Sequence, residues 1–166
     1  NARRANCAGA TPNAAHTALA QLGDSKHEVT LITQNVDDLH ERAGSRDVIH
    51  MHGELMRALC NVCGHRWDAT AVMQATDTCP QCGATATRPD VVWFGEIPYQ
   101  MDRITTAVAH TDLFVAIGTS AEVYPAAGLV ELAQGPTLEI NLQPSARATA
   151  FHDQIAGPAT ETVPAW

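Results

Sequence analysis

Four of the five cysteines fall in two closely spaced pairs, formed by Cys60, Cys63, Cys79 and Cys82. Their spacing, C-x2-C-x15-C-x2-C, lets each pair bend two thiolates toward one centre and predicts a tetrahedral four-thiolate zinc site. Two disulfides are the alternative, and a C-x-x-C pair without metal is more often redox-active than structural. A zinc ion with four protein ligands has no open coordination position. We therefore expect it to stabilise the fold and leave the chemistry to other residues.

Length and charge narrow the class of protein. The chain has 166 residues, 45% of them hydrophobic, which suits one domain with an apolar core. A formal net charge of −8 argues against nucleic acid as a partner, because a phosphate-backbone binder needs a concentrated basic face. The apolar runs are too short to span a membrane, so no membrane partner is expected. We expect a monomer.

Cysteine usage predicts the compartment. With four of the five cysteines assigned to a metal, the pattern favours a reducing environment and a cytoplasmic location. Cys7 is left over, and we expect it to be an ordinary small residue.

Predicted strands that alternate with predicted helices along the chain indicate an α/β protein. Strands are expected at residues 29–33, 48–52, 89–94, 113–117 and 138–142, and helices at 12–22, 38–43, 100–109 and 125–133. The residues after Phe151 are expected to be mostly irregular. Strands alternating with helices imply a Rossmann-like, doubly wound parallel sheet. Residues 1–55 and 89–166 would form this domain, and residues 56–88 an inserted zinc-ribbon module.

Polar residues follow the first two predicted strands, at the strand ends where doubly wound sheets bind ligands. Gln34-Asn35-Val36-Asp37 follows the first strand, and His52-Gly53 ends the second. Asn and Asp are ordinary turn residues, and a single histidine is usually structural. The two segments together make His52 a candidate general base. His50 is expected to be a core or supporting residue.

Later strand ends give weaker signals. Gly118-Thr119-Ser120 offers hydroxyls and backbone N–H groups that suit a phosphate or ribose, although many strand-to-helix turns have this composition. Asn141 ends the last predicted strand, where its amide could meet ribose hydroxyls. Residues 91–96 are apolar and then contain Gly95. They are either a core strand or an edge that pairs with an extended peptide and offers Phe94 as an apolar wall.

In this order the segments resemble the sirtuins, the NAD-dependent protein lysine deacylases, from about Asn1 to Pro164. The matching stretches are residues 33–37 with 39–44, 52–54, the four cysteines, 88–96, 118–120 with 123–128, and 141–142. The Trp-Phe-Gly-Glu and Val-Tyr-Pro-Ala-Ala-Gly sequences are similar to the bacterial and mitochondrial class that also removes succinyl and other acidic acyl groups.

The resemblance implies NAD as co-substrate, a structural zinc and acylated lysine peptides as partners. His52 would be the general base, acting on a ribose hydroxyl of NAD, with Asn35 and Asp37 holding nicotinamide and its ribose. The NAD-lining residues would be Gln34, Asn35, Val36, Asp37, Gly118, Thr119, Ser120, Asn141, Leu142, Gln143 and Ala159. The peptide-contacting residues would be Arg3, Val92, Phe94, Gly95, Glu96 and Val123. The implied reaction removes acetyl and succinyl groups from lysine. It passes through an alkylimidate and releases free lysine, nicotinamide and O-acyl-ADP-ribose.

Arg3 resembles the arginine of the Tyr-x-x-Arg pair with which the acidic-acyl class binds a distal carboxylate. The match requires a tyrosine one position before Asn1, and Arg4 does not fit because the tyrosine would then fall on Asn1. A guanidinium that forks onto a carboxylate would account for a succinyl preference. A plain surface charge is the alternative.

Two segments of the family are missing from this sequence. One is the Gly-Ala-Gly-x-Ser loop that binds the NAD pyrophosphate, and the other is a Pro-x-Phe-Arg segment that covers nicotinamide. The chain also stops at Trp166 without the usual closing helix, so it resembles a fragment whose sheet is incomplete at the N-terminus. We expect residues 1–166 alone to bind NAD weakly and turn over little. Micromolar NAD binding in isothermal titration would contradict this.

Two other functions compete with the deacylase. A catalytically silent module could bind ADP-ribose or acylated peptides, but such a module has no need of His52 as a base. A zinc-ribbon nucleic-acid binder is disfavoured by the net charge and by the few aromatic residues in the ribbon.

Overall fold

The first two elements are short helices, α1 (Ala2–Gly9) and α2 (Ala14–Gly23), seen in a computed structural model that describes residues 1–69, 72–120 and 122–166. Asn13 starts α2, because its side-chain oxygen accepts hydrogen bonds from the backbone N–H groups of Ala15 and His16 at 3.0 and 3.2 Å. These are the free donors at a helix start. The helix therefore begins two residues later than the sequence predicted, and α1 was not predicted at all.

Parallel strands form the centre of the fold. β1 (Ile32–Thr33) pairs with β2 (Ile49–His50), and β6 (Phe114–Ile117) pairs with β7 (Thr137–Asn141), which pairs with β8 (Asp153–Ala156). Short helices connect these strands, namely α3 (Leu39–Arg42) and α4 (Met101–Ala109). The predicted α/β class with parallel pairing is confirmed.

Two apolar clusters pack helices against the two sides of the parallel strands. On one side Ile104 and Val108 of α4 pack with Ile49, Met51 and Leu129. On the other side α2 and α5 (Ala159–Ala165) pack against Leu138 and Ile140 of β7 through Ala15 and Val163. Layers of helix on two sides of parallel strands are the doubly wound arrangement.

An antiparallel sheet holds the cysteine segment. β3 (Gly53–Cys60) lies between β4 (Arg66–Asp68) and β5 (Thr87–Val91). Gly53 pairs with Val91 at one end of this sheet, and Cys60 pairs with Thr87 at the other. The sheet therefore extends from the metal-binding cysteines to the residue that follows His52.

Several predicted elements differ from those observed. Residues 89–94 were expected to be a strand of the parallel sheet, but β5 covers Thr87–Val91 and pairs with β3. The helix expected at 125–133 is a 3₁₀ helix, Ala126–Leu132. The tail after Phe151 was expected to be irregular, yet it contains β8 and α5. The expected lack of a helix before Trp166 is therefore wrong. Among the described residues, no helix has both the length and the apolar character needed to cross a bilayer.

Candidate active site and metal centre

The four cysteines of the predicted zinc site meet at one point. All their sulfur atoms lie within 4.8 Å of one another, and the Cys60–Cys82 and Cys63–Cys79 sulfur pairs are both 3.7 Å apart. Four sulfurs held about 2.3 Å from a tetrahedral zinc are about 3.8 Å from each other. The donor set and its spacing therefore fit one structural zinc ion.

The two cysteine turns have the same hydrogen bonds. The N–H of Gly64 donates to the Cys60 carbonyl, and the N–H of Gly83 donates to the Cys79 carbonyl, both at 2.9 Å. Both glycines have a positive φ, +73° and +74°, which residues with a Cβ rarely adopt. Backbone N–H groups, first that of Cys63, lower the pKa of Cys60 to about 7. The His65 N–H acts to lower the pKa of Cys63, but burial and the neighbouring thiols outweigh it and raise that pKa to about 12. Without a metal the four thiols therefore do not all ionise near pH 7, and a bound zinc ion would have to displace protons.

His52 lies between two segments of the site, residues 34–37 and the segment that begins at Val92. Its ring Nδ1 is 3.0 Å from the backbone carbonyl oxygen of Gln34. A carbonyl can only accept, so Nδ1 carries the proton and Nε2 of the neutral ring keeps its lone pair. The His52 carbonyl accepts a hydrogen bond from the N–H of Val92 at 2.9 Å. His52 therefore contacts both the segment predicted to bind NAD and the segment predicted to bind peptide.

Hydrogen bonds to neighbouring residues fix the conformation of residues 34–37. Thr33 Oγ1 accepts from the N–H of Asn35 at 3.0 Å, and Asp37 Oδ1 accepts from the N–H of Leu39 at the start of α3, at 3.2 Å. The Val36 carbonyl accepts from the N–H of Leu55 at 2.7 Å. Asn35 is exposed and Asp37 half-buried, so both side chains are available to a ligand.

His50 supports this segment from the core, as the sequence predicted for it. It is buried, its Nδ1 lies 3.3 Å from the Asn35 carbonyl, and its Nε2 lies 2.7 Å from Glu41 Oε1. Both neighbours are acceptors, so the ring bridges α3 to the backbone of Asn35. Neither Thr33 nor Glu41 was singled out from the sequence, because a threonine and a glutamate at these positions are common without a role.

Thr119 joins three strand ends. Its Oγ1 accepts a hydrogen bond from Gln34 Nε2 at 3.3 Å, and its carbonyl accepts one from Asn141 Nδ2 at 2.7 Å. Gly118, one residue earlier, has φ +62° and donates its N–H to the Ile140 carbonyl. The ends of β1, β6 and β7 are therefore linked at one edge, as expected for parallel strands.

The other residues predicted to line NAD lie around this edge. Ser120 is exposed after Thr119, and Leu142 and Gln143 are exposed after Asn141. Ala159 begins α5, two residues after Gly157, whose N–H donates to the Asn141 carbonyl at 3.0 Å.

The segment predicted to bind peptide is unusually apolar and open. Phe94 is fully exposed at 102%, and Val123 is 45% exposed. Gly95 has φ +88°, while Val92 is half-buried beside His52. The Glu96 carboxylate instead bonds Arg88, at 2.9 and 3.2 Å.

Arg3 lies on α1, exposed, at the rim of a cavity of about 520 Å³. Pro89, Val91 and Trp93 also line this cavity, whereas Val92 and Phe94 do not. The structure thus places Arg3 near β5, which precedes Val92 and Phe94, in a cavity that neither of these two residues lines.

A model of the Sir2 family matches residues 1–125. The chain therefore belongs to the Sir2 family. Its relatives include an "NAD-dependent protein deacylase" of Caulobacter vibrioides, 56% identical over 174 residues that cover 100% of this chain and 73% of that protein. The "NAD-dependent protein deacylase SIR2rp3" of Leishmania major is 50% identical over 177 residues, covering 100% of this chain and 72% of that protein.

Solved structures agree on the fold. The chain superposes on a Sir2 homologue in complex with NAD with a TM-score of 0.88 and 39% identity, over 95% of this chain. It spans 64% of the length of that protein. The Rossmann-like fold of the sirtuins is therefore confirmed for these residues.

Proposed function

We propose that the protein is an NAD-dependent protein lysine deacylase, which transfers an acyl group from lysine to ADP-ribose and releases nicotinamide. The names of the relatives and the NAD complex of a related structure support this proposal. The observation that carries it is the placement of His52, with one ring nitrogen fixed by Gln34 and the other left as a base. A module that only binds ADP-ribose would not need that base.

The edge formed by the ends of β1, β6 and β7 fits NAD. Gln34, Thr119 and Asn141 are tied to one another there, and they present amide and hydroxyl groups that can bond ribose. Asn35, which is exposed, and Asp37, which is half-buried, follow Gln34 in the same segment. NAD supplies the anomeric carbon that the acyl oxygen attacks.

The proposed role of His52 is to take a proton from a ribose hydroxyl. Nε2 of a neutral imidazole is a suitable acceptor near pH 7. The Gln34 carbonyl keeps the ring in the correct tautomer, because turning Nδ1 into an acceptor would face two lone pairs toward each other. Since Val92 is bonded to the His52 carbonyl, acyl-lysine beside Val92 and Phe94 would lie next to the base.

The test is mass spectrometry of acetyl- and succinyl-peptides incubated with NAD and the protein in its complete natural chain. We expect His52→Ala to lower kcat by at least about 100-fold, the usual contribution of a general base. His27→Ala, an exposed histidine outside the site, is the control and should leave the rate unchanged. Full turnover by His52→Ala would contradict the proposal.

We further propose that acidic acyl chains are substrates and that Arg3 binds their distal carboxylate. Support comes from the exposed position of Arg3 beside the strand that leads to Val92 and Phe94. Losing a charged hydrogen bond predicts a fall of about 10- to 100-fold in kcat/KM for succinyl-peptide with Arg3→Met. Acetyl-peptide turnover should be spared. Arg46→Met, which removes a surface arginine elsewhere, is the matched control, and equal losses on both peptides would refute the assignment.

A further inference from the structure

Arg88 has an unusually complete set of contacts for a residue near the surface. Its guanidinium donates to Asn61 Oδ1 at 2.9 Å, to the Val91 carbonyl at 2.8 Å and to both carboxylate oxygens of Glu96. The same group stacks over the Trp93 ring, 4.5 Å from its centroid. Only 12% of the side chain is exposed. This arginine is therefore fixed in one position.

One side of this network is the metal centre. Asn61 lies between the metal-binding residues Cys60 and Cys63, and its N–H donates to the Ala86 carbonyl at 2.9 Å. The position of Asn61 depends on the first cysteine turn, which a bound zinc ion would fix. Asn61 is thus the point where Arg88 reaches the metal site.

The other side is the loop of residues 93–96, called here the substrate loop. Glu96 bonds Arg88, and it also accepts a hydrogen bond from the N–H of Trp93 at 3.0 Å. The Glu96 N–H in turn donates to the Trp93 carbonyl at 2.9 Å. Phe94 is fully exposed, and a Cβ at Gly95 would meet nothing within 4 Å. The loop therefore takes its shape from Trp93 and Glu96, and Arg88 holds both.

We propose that Arg88 is a positioning residue that couples the four-cysteine metal centre to the substrate loop, and so sets the affinity for acylated peptide. This inference rests on the proposed deacylase function. It assigns a role to Arg88 that goes through Trp93 and Glu96, without contact to the reacting atoms. It also gives the metal centre a function in binding substrate in addition to stabilising the fold.

The chemistry of the network requires arginine. The planar guanidinium presents five donors in a fixed fork and can stack on an indole ring at the same time. Lysine keeps the charge but has a single nitrogen on a flexible stem. It cannot reach Asn61, Val91 and Glu96 together. Arg88→Lys should therefore break the coupling while leaving a cation near Glu96.

The first experiment uses the zinc-loaded protein in its complete natural chain. For Arg88→Lys we expect the KM for acyl-peptide to rise about tenfold, the size of one lost charged hydrogen bond. The kcat at saturating peptide should stay within about twofold, because His52 and the NAD edge are untouched. Arg103→Lys, an arginine of α4 that pairs with Asp47, is the control. Zinc content, measured after denaturation with a chromogenic chelator, should remain one per chain in both variants.

The second experiment removes only the hydrogen bond between Arg88 and Asn61 of the first cysteine turn. Asn61→Ala keeps all four cysteines and Glu96, and it should raise the dissociation constant of a fluorescein-labelled acyl-peptide about threefold to tenfold in anisotropy titrations. Gln81→Ala, an exposed residue inside the second cysteine pair, is the matched control and should change nothing. In the Arg88→Lys background Asn61→Ala should add little, because the two residues act through one bond.

The outcomes separate this inference from the proposed function. No turnover of any acyl-peptide by the wild type would contradict the deacylase assignment. Wild-type turnover with an unchanged dissociation constant for acyl-peptide in Asn61→Ala would contradict the coupling to the metal centre, and an unchanged KM in Arg88→Lys would contradict the positioning role of Arg88. Loss of zinc from Arg88→Lys would also overturn it, since Arg88 would then act by folding the cysteine turn. A similar fall in kcat and kcat/KM would assign Arg88 to the chemical step and refute a positioning role.

Discussion

Gly53 provides the sharpest test of the described geometry, because it follows His52 and faces β5. Its φ is +81°, and an added Cβ would lie 2.1 Å from the Asp90 carbonyl oxygen and 2.9 Å from Val91 Cα. Both contacts are with backbone atoms, which cannot turn aside as a side chain can. Gly53→Ala therefore strains its own backbone and also forces β3 and β5 apart.

The loss of stability in Gly53→Ala has two parts, the strained backbone of residue 53 and the overlap of the new Cβ with β5. A residue with a Cβ in left-handed backbone loses about 1–2 kcal/mol. Overpacking that shifts backbone adds about 1–3 kcal/mol. We expect Gly53→Ala to lower the free energy of unfolding by about 2–5 kcal/mol, or the Tm by about 4–20 °C for a chain of this size.

Gly44→Ala is the matched control. Gly44 also has a positive φ, +106°, but its nearest neighbour would be Ala20 Cβ at 3.8 Å, an ordinary contact. Gly44→Ala should lower the free energy of unfolding only through backbone strain, by about 1–2 kcal/mol. Urea unfolding followed by circular dichroism measures both variants. Equal losses for Gly53→Ala and Gly44→Ala would show that β3 and β5 do not approach as described.

Two further predictions concern the metal centre and a buried histidine. Purified protein should carry one zinc per chain; Cys79→Ser should carry none, and Cys7→Ser should keep it. At a free zinc concentration about 1,000 times the dissociation constant, the bound metal stabilises the fold by about 4 kcal/mol. A chelator that leaves the Tm unchanged would therefore refute a structural zinc. Burial, followed by nearby His16, lowers the pKa of His40 below its ordinary 6.5. The unfolded chain then binds the proton more readily, so stability is complete above about pH 6.5 and falls as the pH drops from there toward the folded pKa. His40→Phe should flatten this part of the stability–pH curve, and an unchanged slope would contradict the assignment.

The metal centre could be predicted from the sequence because its signal is local. Each cysteine pair and its following glycine form one turn, and the turn geometry repeats at Gly64 and Gly83. The placement of Gln34 and His52 followed from a general rule, since parallel strands end at the same edge. The sites that sequence patterns locate best are therefore those that the chain builds at turns and strand ends.

Other elements were missed for identifiable reasons. β8 is an edge strand whose residues are mostly exposed, so it lacks the alternation that marks a half-buried strand. α5 contains Pro164, and a proline usually indicates the end of a helix. α1 is secured from a distance, because Arg42 donates to the carbonyls of Cys7 and Ala10 at its end.

The contacts of Arg88 were invisible for a different reason. Asn61 lies 27 positions before it and Glu96 eight positions after it, and no periodic pattern relates these three residues. The antiparallel pairing of β3 with β5 places Arg88 opposite Leu59, two residues before Asn61. The sequence predicted a parallel strand at residues 89–94, so it did not predict this pairing.

The packing of α2 against α5 has a consequence for synthesis on the ribosome. Ala15 and Val163 share one apolar cluster, so α2 emerges long before the helix that covers it has been made. The 135 residues from 24 to 158 separate the two helices, which corresponds to about 7–27 s at about 5–20 residues per second. During that interval the nascent chain shows an uncovered apolar surface, to which a chaperone can bind.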